Sequence, residues 1–287
     1  MSRLFCFGLG YSAEVLARRL RNQGWEIAGT ARDPSNIERL RQEGFAVASF
    51  AGEPNSEAVG DLLAGTTHLL HSIPPGKDGD PVLRRYRDAI ASLSSLAWIG
   101  YLSTVGVYGD HSGAVVDETA TLKPSSDRAK ARMVAESGWL ALGEETGVPV
   151  QIFRLAGIYG PGRSALDKLR DGTARRVVKP GQVFSRIHVD DIATVLAASI
   201  ARPRAGAIYN VADDEPAAPD KVVAYAAELI GIAPPPAVAF EEADLSPMAR
   251  SFYGDSRRIS NARIKSELGV ALRYPTYRQG LKALVEQ

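Results

Sequence analysis

At 287 residues the chain holds about two domains of roughly 150 residues, or one large domain with an appendage. Its 34 Lys and Arg against 33 Asp and Glu leave a net charge of +1, which excludes the basic excess of a protein devoted to nucleic acid. A composition of 45% hydrophobic and 23% charged residues is that of a globular chain able to bury a core, and the single cysteine, Cys6, excludes an internal disulfide or a cysteine-based zinc cluster.

The segment from Met1 to Gly10 carries too short an apolar run for a signal peptide, and no stretch approaches the roughly 18 apolar residues of a transmembrane helix. A soluble, cytoplasmic protein with no membrane partner is therefore expected. Leu4-Phe5-Cys6-Phe7 predicts a buried strand, and Ser12 to Gln23 a helix whose stripe is Val15, Leu16 and Leu20, with Gly24 at its end. Trp25 to Ala31 predicts a second strand, Ile37 to Glu43 a short helix and Phe45 to Phe50 a third strand. A fourth strand runs from His68 to Ile73 and stops at Pro74-Pro75-Gly76. A helix over Val82 to Leu96 leads to a fifth strand, Trp98 to Thr104; Lys130 to Gly143 is helical and Val148 to Leu155 a strand. This alternation is the pattern of βαβ units around a parallel sheet. Beyond it the rhythm loosens: Gly157 to Gly162 is a loop by composition, Ile192 to Ile200 a helix, Ile208 to Val211 a late strand, and Pro234-Pro-Pro236 a linker or edge.

Gly8-Leu-Gly10-Tyr11-Ser12-Ala13 follows the first strand and opens the first helix. There the first glycine permits a tight turn, the second admits a pyrophosphate to backbone N–H groups, and small Ala13 lets helix and strand pack closely. The bland alternative is a tight strand-to-helix turn; the place at the head of a βαβ run favours dinucleotide binding. About 20 residues on, a binder of NAD carries an acidic residue for the ribose 2′-OH. Here that place falls on Ala31, followed by Arg32, whose guanidinium suits a 2′-phosphate, so NADP is favoured. Asp33 keeps NAD open, since a small register error would bring it to the ribose, and a solvated Arg32 is the simpler alternative. Ser72, Ile73 and Pro74, at the carboxyl end of the fourth strand, are further expected cofactor contacts.

Four later segments, Ser103-Thr-Val-Gly-Val-Tyr-Gly109, Arg154-Leu-Ala-Gly-Ile-Tyr-Gly-Pro-Gly162, Arg186-Ile-His-Val-Asp-Asp-Ile-Ala193 and Tyr209-Asn-Val-Ala-Asp213, complete a pattern with the glycine loop. In this order they resemble the extended short-chain dehydrogenase/reductases, the NAD-dependent epimerase/dehydratase group, over essentially the whole chain. The resemblance implies an α/β fold, a Rossmann-like doubly wound parallel sheet with a smaller C-terminal substrate region. The expected division is residues 1–155 with 186–213 returning to the sheet, against 156–185 and 214–287. It also implies a small-molecule substrate, such as a nucleotide sugar or a small hydroxy or carbonyl compound, and a homodimer built through two helices.

The resemblance further implies a Ser or Thr, and a Tyr with a Lys four residues later on one helix. Thr104 falls on the first position, and Ser103 beside it is a further expected cofactor contact. With Glu136 as the landmark four residues beyond the Lys, the other two positions fall on Arg128 and Arg132, and Ser125 to Arg132 contains no tyrosine. Arginine stays protonated and cannot take a proton on and off, so the usual relay is missing. Two readings of the arginines stand. They share a helix face at i and i+4 and would hold or polarise an anionic group, or Arg132 with Glu136 is an ordinary exposed pair. Val105-Gly106 lacks the acidic pair that dehydratases of the group place there, so dehydration is disfavoured. The enzyme reading is an NADP-dependent oxidoreductase or epimerase with an altered proton relay; the alternative is a non-catalytic sensor of NADP(H).

Tyr108, Tyr159 or Tyr11 could stand in for the missing tyrosine, but Tyr108 and Tyr159 sit in motifs where the family's tyrosine packs. His68, His71 and His188 are expected to be structural, and with His111 they make no metal-site spacing. Asp190-Asp191 would cap and charge the helix that follows. Arg163 would reach an anionic substrate or be solvated, and Ser256-Arg-Arg-Ile-Ser260 reads as a polar surface.

Overall fold

The structure is a computed structural model that describes residues 2–52 and 56–286. In chain order, β1 (Arg3–Phe7) leads through the glycine loop to α1 (Tyr11–Arg21), followed by β2 (Glu26–Ala31), α2 (Pro34–Gln42) and β3 (Ala46–Ser49). Then come α3 (Glu57–Leu63), β4 (His68–His71), α4 (Pro81–Ala91) and β5 (Trp98–Thr104). After a turn of 3-10 helix at Val105–Tyr108 follow β6 (Val115–Val116), α5 (Asp127–Thr146), β7 (Val150–Leu155) and β8 (Gly157–Tyr159). The rest is α6 (Ala165–Arg170), β9 (Arg176–Val178), β10 (Arg186–His188), α7 (Val189–Ala201), β11 (Ile208–Val211) and α8 (Pro219–Leu229). The chain ends with β12 (Ala237–Ala239), α9 (Pro247–Phe252), β13 (Arg258–Ile259), α10 (Ala262–Leu268) and α11 (Tyr277–Val285).

Seven strands form one sheet in the order β11-β7-β5-β4-β1-β2-β3. The registers of β1 with β2 and β4, of β2 with β3, and of β4 with β5 are all parallel. This is a doubly wound Rossmann-like order whose direction reverses between β1 and β4, the place where such sheets open a crevice at their carboxyl ends. The predicted strand over 208–211 joins this sheet at its edge.

Contacts divide the chain into two compact units. The first holds the residues up to Thr104 with Ser126–Arg154 and Ala193–Tyr209. Its core on one sheet face joins Phe5, Phe7, Ile99 and Tyr101 of the strands to Val82, Tyr86 and Ile90 of α4 and Trp139 and Leu142 of α5. Each such side chain, fully buried, stabilises the fold by about 1.5–3 kcal/mol, which is why these strands read as nearly continuous apolar runs. The second unit holds Val105–Ser125, Leu155–Ile192 and the residues from Asn210 on. Its core gathers Tyr159, Leu166, Val222, Ala226, Tyr277 and Leu281.

Helix starts follow local chemistry. Asp33, Asp80 and Ser126 accept from first-turn N–H groups of α2, α4 and α5, and Pro34 and Pro81 occupy the first helical position where no N–H is needed. Beyond β7 most of the short elements of the second unit have no counterpart in the sequence pattern, and in the first unit and at β8 the departures are instructive. α4 ends at Ala91 rather than Leu96: Leu93 and Leu96 still pack on the core, but from a loop, so their helical spacing outlasts the helix. α3 was not predicted, because its seven residues carry a central Gly60 and bury only Val59 and Leu63. The glycine-rich 157–162 segment was expected to be loop, yet Gly157–Tyr159 pairs in parallel with β10.

Candidate functional site

The glycine loop joins β1 to α1. Gly8 holds φ at +84°, and a Cβ there would lie 2.6 Å from Ser72 Oγ and 2.9 Å from Ile73 Cγ1. Its N–H donates to Thr30 Oγ1 at 3.0 Å and the Leu9 N–H to the Thr30 carbonyl at 2.6 Å, so a buried threonine of β2 holds the loop from below. Sequence reasoning passed over Thr30; a lone hydroxyl inside an apolar strand was the available signal. Gly10 differs from Gly8. It caps α1 in an extended conformation (φ −122°, ψ −165°) that any residue adopts, and a Cβ on it would meet nothing within 4 Å. As a glycine, Gly10 offers no side chain to cap the N-terminus of α1. Ala13 and Ser12 are buried against the sheet.

At the end of β4, Ser72 Oγ donates to the Gly8 carbonyl, and the Ser72 N–H to Phe7 O at 2.9 Å. Ile73 and Pro74 follow, half-buried and exposed. The strand's last residue, His71, is buried, with Nε2 2.8 Å from Asp80 Oδ2; Trp139 Nε1 donates to the same oxygen at 3.1 Å. Asp80 Oδ1 accepts from the N–H groups of Val82 and Leu83. Burial pushes this carboxyl up, but the histidine and the donors around it hold it below the usual carboxylate range.

At the end of β2, Asp33 does a local job: its carboxylate accepts from the Asn36 N–H at 3.0 Å and from the Ser35 hydroxyl, which lower its pKa. Beside it Arg32 is exposed and makes no hydrogen bond among the described residues. Arg39 of α2 pairs with Glu14 of α1 at 2.8 Å, and Arg18 bridges Glu14 and Glu43, so ion pairs tie the two helices on either side of the loop.

Around β5 and α5 the structure separates residues that the sequence had grouped. Glu136 is 3% exposed and pairs with Arg154 Nη2 at 2.7 Å, not with Arg132 as the exposed-pair reading had it. Ser103 Oγ donates to the same carboxylate, so this side chain is committed to a buried network. Arg132 donates from Nη1 to the Leu102 carbonyl at 2.6 Å and to the Tyr101 hydroxyl at 3.3 Å. Burial raises Tyr101 to about 12, with Arg132 pulling the other way. Thr104 ends β5, partly exposed. Arg128, in the first turn of α5, is exposed, and its side chain makes no hydrogen bond or ion pair among the described residues.

In the second unit, Tyr108 is fully buried and donates to Asn210 Oδ1 at 2.7 Å, and Tyr159 belongs to the core; both pack as expected. His188 accepts the Asp190 N–H on Nδ1 and lies 4.2 Å from the Tyr274 ring; burial depresses it to about 4, so it is a neutral structural residue. Asp191 does more than charge the start of α7: it is fully buried and takes the N–H groups of Arg273 and Tyr274. The 256–260 segment is no plain polar surface, since it contains β13 and Arg257 donates to the Gly109 carbonyl at 2.6 Å. Arg163 is exposed, with its backbone bridged to Gly160. No cluster of metal-ligating side chains and no helix long and apolar enough to cross a membrane occurs among the described residues.

Residues 97–212 match the model of the NAD dependent epimerase/dehydratase family. A functionally unknown conserved protein from Silicibacter pomeroyi DSS is 53% identical, with a TM-score of 0.89 over 99% of this chain and 98% of that one. Protein YeeZ of Escherichia coli K12 is 28% identical over 96% of this chain and 97% of its own length. A mutant UDP-glucuronic acid 4-epimerase from Bacillus cereus, solved with NAD and a fluorinated UDP-sugar, shares the fold at a TM-score of 0.78 and 18% identity, covering 100% of this chain and 98% of that one.

Proposed function

From the match of residues 97–212 to the NAD dependent epimerase/dehydratase family, we propose that the chain is a member of that family, binds a nicotinamide dinucleotide on the loop of Gly8 and Gly10 and acts as an NADP-dependent oxidoreductase or epimerase. Gly10 carries this reading. A serine or aspartate at an N-cap stabilises a helix, and neither strain nor crowding demands glycine here. The protein nevertheless keeps the position bare, which leaves room for a pyrophosphate to approach the helix N-terminus. The residues thus fit the cofactor by their own geometry.

Gly8, Gly10 and the first turn of α1 would hold the pyrophosphate, with Ser72, Ile73 and Pro74 beside them. Arg32 would meet a 2′-phosphate, since Asp33, the residue that would favour the ribose 2′-OH of NAD, is spent on capping α2. When bound, the nicotinamide supplies hydride transfer. Thr104, at the carboxyl end of β5, would hydrogen-bond the reacting oxygen of a small carbonyl, hydroxy or sugar-nucleotide-like substrate. Arg128 is the cation available to an anionic group on that substrate, whereas Arg132, held by Leu102 and Tyr101, fixes the end of β5 on α5.

Titrating NADPH and NADH into wild type, Gly10→Ser and Arg32→Ala tests the assignment. Gly10→Ser is expected to keep or slightly raise Tm while weakening both cofactors at least roughly tenfold. Arg32→Ala is expected to weaken NADPH and leave NADH unchanged. Equal affinities that neither substitution alters would remove the cofactor role from this loop. Turnover of a carbonyl or sugar-nucleotide panel that disappears in Thr104→Val supports the enzyme; binding without turnover across the panel favours a sensor of NADP(H).

A further inference from the structure

The segment between β4 and α4 is built more rigidly than a connection requires. Its ends are joined: His71, the last residue of β4, bonds Asp80, the cap of α4, at 2.8 Å. The imidazole cannot swing away, because Tyr101 stacks on it at 5.2 Å, Trp139 lies at 5.1 Å and Phe7 meets it edge-on at 6.3 Å. The outer end of the segment is closed by paired hydrogen bonds between Gly76 and Gly79, with Gly79 at φ +94° making the turn possible. Two consecutive prolines, Pro74 and Pro75, stiffen the middle. At the inner end, Ser72 donates to Gly8 O within the glycine loop itself.

We infer that Ser72–Gly79 is a pre-ordered rim of the dinucleotide cleft and that the buried His71–Asp80 pair at its base is a positioning pair that sets cofactor affinity. A wall already in place spares the ligand the ordering of a loop, which is how preorganisation raises affinity. Asp80 suits the task because its four donors come from β4, α4 and α5: His71, the Val82 and Leu83 N–H groups, and Trp139. Only the His71 bond closes the rim, whereas Trp139 ties in α5. The inference rests on the dinucleotide reading of the glycine loop.

The test titrates NADPH into wild type, His71→Gln, the double variant Pro74→Ala/Pro75→Ala, and Trp139→Phe, with amide exchange followed in the cofactor-free proteins. His71→Gln keeps the cap of α4, and the proline pair lies outside the core, so both are expected to fold. Each is expected to weaken NADPH roughly fivefold to twentyfold and to speed exchange within 72–79, while β1 and α1 keep their protection. Trp139→Phe, which removes one donor to Asp80 but leaves the His71–Asp80 bond in place, is expected to weaken NADPH less than His71→Gln does. Wild-type affinity retained by both rim variants overturns the rim while leaving the cofactor loop intact. A wild-type protein that binds neither NADPH nor NADH overturns the cofactor reading and the rim with it.

Discussion

Gly8 and Gly100 show how one missing Cβ is demanded by different neighbours. At Gly8 the demand is double, a left-handed φ of +84° and contact with Ser72 and Ile73, so Gly8→Ala is expected to destabilise by more than about 1 kcal/mol and lower Tm by several degrees. Gly100 has no unusual φ; a Cβ on it would run into Cη2 of Trp98, whose ring covers it from two residues back on the same strand face. Gly100→Ala is therefore expected to cost about 1–3 kcal/mol by overpacking, and Trp98→Leu to restore part of the loss in the double variant. Urea unfolding of both singles and the double measures it; strictly additive losses would place the clash elsewhere. The glycine loop was legible because its residues are neighbours in sequence and follow a strand. What holds it was not: Thr30 and Ser72 reach Gly8 across 22 and 64 residues, and no local spacing reports such contacts.

α5 is fastened to the sheet by charge as well as by apolar packing. Glu136 takes Arg154 from β7 and Ser103 from β5, and one turn earlier Arg132 holds the Leu102 carbonyl. Removing one member of a buried pair strands the other, so Arg154→Met and Glu136→Gln are each expected to cost about 3–5 kcal/mol. The double variant is expected to lose clearly less than the sum, since no charge is then left unpaired; a double-mutant cycle showing no coupling would refute the pair's role. The i,i+4 spacing of Arg132 and Glu136 suggested a surface pair because spacing shows which residues share a face but not which face is inward. Long elements with a clear apolar rhythm, such as β5, β7 and α1, were legible to within a residue or two. The misses have causes of the same kind: α3 is too short to show a period, and β8 owes its strand conformation to pairing with β10, 29 residues away.

At the scale of the whole molecule, two buried titratable groups give stability a defined dependence on pH. Asp213 is 1% exposed, its Oδ2 has no hydrogen-bond partner, and burial raises its pKa from 3.8 to about 8 against the Glu215 N–H and the Arg186 charge. Between these values the folded protein keeps a proton that the unfolded chain has lost, so this group makes stability fall as pH rises from 3.8 to about 8. His188 works in the opposite sense. Its folded value is depressed from 6.5 to about 4, so it contributes stability that is present above 6.5 and lost as pH falls towards 4. The two slopes oppose each other over the lower range, and from 6.5 to about 8 only that of Asp213 remains. The wild type is accordingly expected to lose Tm between pH 6.5 and 8. Asp213→Asn, which can keep the bond from the Glu215 N–H but cannot ionise, is expected to flatten that decline and to gain on the wild type progressively with pH, by about 2–4 °C for each kcal/mol relieved. Thermal unfolding in a buffer series decides it. A variant whose Tm runs parallel to the wild type from pH 6.5 to 8 would show that Asp213 does not carry the slope, whereas a gap that widens steadily as pH rises from 3.8 to about 8 locates the proton on this carboxyl.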